Sequence, residues 1–107
     1  MPDHRVVWTE TARLDLEGVV GFIAVDSIEE ALHVLDRIER RCQSLEKLPE
    51  RGRIVPELAA VGVLAYREVV ERPWRIVYRT DQQRVYVIAV LDGRRNLAAL
   101  LLERLAR

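Results

Sequence analysis

A chain of 107 residues can bury one hydrophobic core and is too short for two. Half of its residues are apolar and 32% are charged, the balance of a soluble globular domain, and no apolar run approaches the roughly 20 residues that span a bilayer. The formal net charge of zero hides an asymmetry: residues 1–53 hold 8 Lys/Arg against 11 Asp/Glu, a net −3, whereas residues 54–107 hold 9 against 6, a net +3.

An excess of three charges does not by itself mark a nucleic-acid binder. The basic residues are nearly all arginine, with Lys47 the one lysine. Arginine forks match carboxylates and phosphates two-pronged, so the basic half is suited to an anion or an acidic partner. The polar opening Met1–Arg5 carries no signal peptide, and a lone Cys42 forms no internal disulfide. Both fit a cytoplasmic protein.

Arg5 to Trp8 reads as a short first strand. Thr9 then caps a helix on which Ala12, Leu16, Val19, Val20 and Ile23 recur at helical spacing, ending near Val25. Asp15 and Glu17 are expected on its wet face. Ser27 with Glu30 three residues on has the spacing of a capping box and opens a second helix. Its stripe is Ala31, Leu35, Ile38, Cys42 and Leu45, and Leu48–Pro49 stops it. The short turn between the two helices makes them an antiparallel hairpin.

From Pro49 to Gly62 the pattern is weak: Glu50–Arg53 is a turn, and Ile54–Leu64 holds a short helix or irregular chain. Val63–Val70 reads as a strand broken by Arg72–Pro73. Trp74–Thr80 is the next, with Trp74, Ile76 and Tyr78 on one face and Arg75, Val77 and Arg79 on the other. Asp81–Gln83 turns into Arg84–Leu91, the most apolar and so the most buried strand. After the Asp92–Gly93 turn, Leu97, Leu100, Leu101 and Leu105 define a final helix. The expected fold is α+β, a single domain over 1–107: an N-terminal helical hairpin on a mainly antiparallel four-stranded sheet, closed by a C-terminal helix.

The chemistry-bearing residues are few. His4 and His33 lie far from the arginine-rich half, and two His and one Cys have no metal-ligand spacing, so neither metal nor cofactor is expected. Cys42 falls on the apolar stripe and reads as a small buried hydrophobe. Arg67, Arg75 and Arg79 either form an anion-binding face or pair across strands with Glu68, Glu71 or Asp81. Arg94 and Arg95 cluster at a strand end beside a glycine. Trp74 and the leucines of the last helix are either core or partner contacts.

Strand, helix, helix, three strands, helix is an order that resembles the RelE/ParE superfamily of bacterial toxins. The opening Trp8-Thr9-Glu10-Thr11-Ala12 leading to Asp15-Leu16, the Leu48-Pro49 and Gly52-Arg53 region, the strand Trp74-Arg75-Ile76-Val77-Tyr78-Arg79 and the end Val90–Arg95 each resemble a family segment. The likeness leans to ParE. It implies the toxin of a type II toxin–antitoxin pair, a hetero-oligomer with its antitoxin, acting on DNA gyrase by protein–protein contact through Arg75, Arg79, Arg94 and Arg95. Trp74, Leu97, Leu100 and Leu101 would meet the antitoxin. RelE-like relatives instead cleave mRNA on the ribosome, and here that chemistry would fall to Arg67, Arg75 and Arg95. Residues 54–107 contain neither lysine nor histidine, and arginine is a poor general base. A third reading is a module that only binds antitoxin.

Overall fold

The computed structural model describes residues 3–106, so Met1 and Pro2 of the polar opening lie outside the described residues. Its elements are β1 (Arg5–Trp8), α1 (Glu10–Ala24), α2 (Ile28–Gln43) with a 3-10 turn at Ser44–Glu46, β2 (Arg53–Ile54), α3 (Pro56–Ala59), β3 (Arg67–Glu71), β4 (Trp74–Asp81), β5 (Arg84–Asp92) and α4 (Leu97–Leu105). The sheet has five strands in the order β1-β5-β4-β3-β2. All neighbours are antiparallel except β1 and β5, which run parallel.

The expected four strands therefore become five. The extra one, β2, has two residues, too short to show a period. Arg53 and Ile54 pair with Glu68 and Arg67. The strand expected from Val63 instead starts at Arg67. The four residues between fold back with Gly62 at φ +84°, and Val63 and Tyr66 pack into the core.

The caps form as expected. The Thr9 hydroxyl accepts from Ala12 N at 3.2 Å and the Ser27 hydroxyl from Glu30 N at 3.1 Å. The Thr9 hydroxyl also donates to the Val87 carbonyl at 2.8 Å, so the start of α1 is fixed to strand β5.

Two cores lie on opposite faces of the sheet. The hairpin α1–α2 covers one face, burying Ala12, Leu16, Val34, Ile38, Cys42 and Leu45 against Val69, Ile76, Tyr78, Val85, Val87 and Val90. On the other, Val55, Leu58, Leu97 and Leu101 from α3, α4 and the chain before α3 meet Val77, Ala89 and Leu91. Burying a Val or Leu contributes about 1.5–3 kcal/mol each, so both faces are major contributors. Strand β5 alternates between the two cores, with one extra residue, Ile88, where the register to β4 shifts. Burial on both faces explains why this strand reads as continuously apolar.

Asp15 corrects the expectation of a wet face. Strand β1 ends at Trp8, leaving the far half of β5 without a strand on the edge away from β4. The Asp15 carboxylate fills that edge, accepting from Val90 N at 3.0 Å. It also takes a two-pronged contact from Arg104 of α4, at 2.8 and 3.2 Å. One carboxylate thus ties together the first helix, strand β5 and the last helix.

Candidate functional site

Three surfaces bring together the residues with chemical or binding potential. The first lies on the α3 face of the sheet. Arg75 on β4 and Glu68 on β3 point to the same side, because Arg75 is paired with Val70 and Glu68 with Val77. Arg75 Nε donates to Glu68 at 2.7 Å, and its two terminal nitrogens donate to both oxygens of Glu57, each at 2.6 Å. Glu68 is fully buried and takes a further contact from Arg53 at 2.7 Å. The hydrogen bonds to Arg75 hold the Glu57 carboxyl below its ordinary range, and the same bonds hold the Arg75 proton more tightly. Arg75 has only 12% of its side chain exposed and both forks engaged. It is a structural cation within the domain.

The second surface is the turn after β5. Gly93 N donates to Pro73 O at 2.8 Å, and a Cβ at Gly93 would meet that oxygen at 3.0 Å and the Arg75 stem at 3.2 Å. The Asp92 carboxylate accepts from Arg94 N at 2.9 Å and from the Arg94 guanidinium at 2.9 and 3.0 Å. Those hydrogen bonds from Arg94 hold the Asp92 carboxyl down at about 2. Arg94 and Arg95 are both exposed, and Arg95 has no ion-pair partner among the described residues. The result is a pair of cations on a short, hydrogen-bonded turn. Arg79 stands apart, exposed near the other end of β4, over the Tyr86 ring at 5.9 Å.

The third surface is an exposed apolar one that the sequence analysis does not anticipate. Leu14 and Phe22 are exposed on α1 and Val25 at its C-cap, Phe22 and Val25 at 82% and 84%, and Ile28 and Leu32 are exposed at the start of α2. Gly18 and Gly21 lie on the same outer stripe, and a Cβ at either would touch nothing within 4 Å. Helix α1 is thus apolar on two opposite sides. An apolar helix face left open to water marks a place for a partner.

The family described as "ParE toxin of type II toxin-antitoxin system, parDE" matches residues 6–97. The chain belongs to the ParE toxin family.

Toxin ParE3 of Caulobacter vibrioides is 32% identical over 98 residues, covering 91% of this chain and 94% of that protein. Among solved structures, the chromosomal ParDE toxin–antitoxin system from P. aeruginosa superposes with a TM-score of 0.69 at 19% identity, over 83% of this chain and 95% of that one. The toxin–antitoxin complex RelBE2 from Mycobacterium tuberculosis superposes at 0.56 and 22% identity, over 86% and 93%. At those identities the two superpositions establish the shared fold.

Within this ParE fold the residues singled out in the sequence separate. Arg67 is paired with Tyr78, so it points to the hairpin side of the sheet, and it donates to Gly52 O at 2.8 Å. Arg75 points to the opposite side, and Arg95 lies beyond the end of β5. The three arginines considered for RNA cleavage are not gathered around one point. Tyr78 is fully buried, its hydroxyl donating to Pro49 O at 2.8 Å and accepting from Gly52 N at 3.0 Å. Trp74 packs half-buried against the hairpin core. Leu97 and Leu101 are inside the second core, so α4 offers a partner Leu102 and part of Leu100. Cys42 is buried, which pushes its thiol up to about 12.

The roles of Asp15 and Glu57 escaped the sequence reading because their partners are distant in the chain, whereas Glu68 is one of the cross-strand partners the sequence offered for Arg75. The outer stripe of α1 does leave a signal that the sequence analysis passed over: Leu14, Gly18, Gly21 and Val25 step by four, three and four.

Proposed function

We propose that this ParE-family toxin inhibits DNA gyrase by protein–protein contact, with Arg94 and Arg95 as the principal target contacts and Arg79 as a secondary one. The exposed Arg94–Arg95 turn carries the reading. It presents two cations on a braced support, while the other arginine facing that end, Arg75, is held by Glu57 and Glu68. Side chains fixed on a short turn lose little entropy when they engage a partner. The inhibition needs no bond chemistry from the toxin, and gyrase places the protein in the cytoplasm.

The antitoxin, on this reading, covers the outer stripe of the hairpin with an apolar helix. Gly18 and Gly21 let a helix backbone approach closely, and Phe22, Val25, Ile28 and Leu32 supply the apolar surface. Leu102 and the half-buried Leu100 of α4 are a smaller secondary contact.

The test is a titration of the purified toxin into a gyrase supercoiling reaction, scored for cleaved plasmid. Cleavage should rise with toxin and disappear when antitoxin is added. Folded toxin that leaves gyrase unaffected would overturn the proposal. Mapping mRNA ends in induced cells would then ask for ribosomal cleavage, and their absence with normal growth would leave an antitoxin-binding module.

A further inference from the structure

The second half of α2 is basic, and the fold sets it beside the loop after it and the turn between β3 and β4. A cleft of about 270 Å³ is lined by Arg37, Arg40, Arg41, Ser44, Arg51 and Glu71. It adjoins a second cleft of about 630 Å³, which shares Arg41 and Glu71 and adds Arg53, Val70 and Arg72. Six arginines from three separate parts of the chain therefore line one continuous track.

Most of their charge faces outward. Arg51 and Arg72 are exposed and have no ion-pair partner among the described residues. Arg40 pairs with Asp36 at 2.9 Å but keeps 78% of its side chain exposed, and Arg37 reaches Glu30 only at 4.0 Å. Arg53 contacts Glu68 through Nε and remains 62% exposed. The one acid lining both clefts, Glu71, is bridged to Arg41 at 3.3 Å.

We propose that this arginine track binds the phosphate backbone of duplex DNA, without reading base sequence. Three observations select that ligand. A track that runs through two joined clefts suits a chain of charges better than a single small anion. Val70 is the only apolar side chain lining either cleft, whereas a protein interface buries an apolar and aromatic centre. Protein–DNA interfaces are polar and strongly positive. No aromatic side chain lines the track, so it lacks the stacking platforms by which single strands are held. The inference stands independently of the gyrase reading, because the binding requires only this chain and DNA.

The measurement is fluorescence anisotropy of a labelled duplex titrated with the toxin alone, over a series of salt concentrations. Binding should weaken with salt at a log–log slope of about −4, as about four engaged phosphates would give. The variant Arg40→Ala/Arg51→Ala/Arg72→Ala should bind at least about tenfold more weakly and lower the slope by about three, one for each arginine. These side chains are exposed, so circular dichroism should show an unchanged fold. Arg13→Ala on α1, which removes a surface arginine paired with Glu10 and Glu17, should leave the affinity as it is. Failure to bind duplex at low salt, equal binding by the triple variant, or tighter binding to single-stranded RNA or polyglutamate would each overturn the proposal. Gyrase poisoning is read in a separate reaction, so failure of either proposal leaves the other standing.

Discussion

Arg75 and Arg94 are the same residue type, each hydrogen-bonded to carboxylate oxygens, yet the fold uses them differently. Arg75 lies between Glu57 and the fully buried Glu68, with 12% of its side chain exposed. Arg94 folds back on Asp92 with 76% of its side chain in water. A buried pair is little screened and depends on both partners, whereas an exposed pair contributes about 0–1 kcal/mol and weakens with salt. One arginine secures the sheet to α3. The other remains available to exchange its partner for a target.

That contrast is open to breakage, and the largest effect is expected at Arg75. Arg75→Ala should cost about 3–5 kcal/mol in urea unfolding, because Glu68 would stay buried with Arg53 as its only partner. A loss below about 1 kcal/mol would show that the inner cluster is no more structural than the outer turn. Tyr78→Phe should follow, at about 1–3 kcal/mol, since it leaves the Gly52 N–H without its acceptor. Gly52 itself leaves little room for rearrangement: a Cβ there would lie 2.8 Å from the Tyr78 hydroxyl. The double change Arg94→Ala/Arg95→Ala should alter stability by less than about 0.5 kcal/mol while abolishing growth arrest. Equal toxicity at equal soluble protein would remove these two arginines from the target surface.

The pH dependence sharpens the same contrast. The folded Glu57 carboxyl lies below its ordinary value of 4.5. Its contribution is therefore full above that value and is lost as pH falls through the lower folded one. Arg75→Ala should flatten the acid limb of the stability curve in that range. The Asp92 carboxyl, at about 2 against an ordinary 3.8, has the same sign but is exposed. Arg94→Ala or high salt should return it toward 3.8 in a carboxyl NMR titration with little change in unfolding. If salt leaves it at about 2, the outer pair is not behaving as a solvated one.

Much of the architecture was legible because it is periodic. Ala12, Leu16, Ile38 and Cys42 fall where helical spacing places them, and Ile76 and Tyr78 face away from Val77 as strand alternation requires. Strand β2 was invisible because two residues carry no period. Asp15 was assigned to water because a helical stripe describes one helix at a time, while Val90 and Arg104 reach it from 75 and 89 residues away. The site was less legible for the same reason. Sequence shows an arginine but not which carboxylate will meet it, so Arg67, Arg75 and Arg79 looked alike. Likewise Leu97 and Leu101 could be called core or contact until the position of α4 over Val77 and Ala89 was known.

The parallel pairing of β1 with β5 sets an order in time. Arg5 lies beside Arg84 and Trp8 beside Val87, so the first strand has no neighbour until the fifth has been made. A ribosome must release nearly the whole chain before the sheet closes, and contacts this far apart in sequence form slowly. During synthesis the hairpin can collapse on itself while the strand that supports the Arg94–Arg95 turn is still missing. The Arg94–Arg95 turn, proposed above as the target contact, is therefore among the last parts of the molecule to mature, and a partner that recognises the hairpin could engage the nascent chain before that turn has formed.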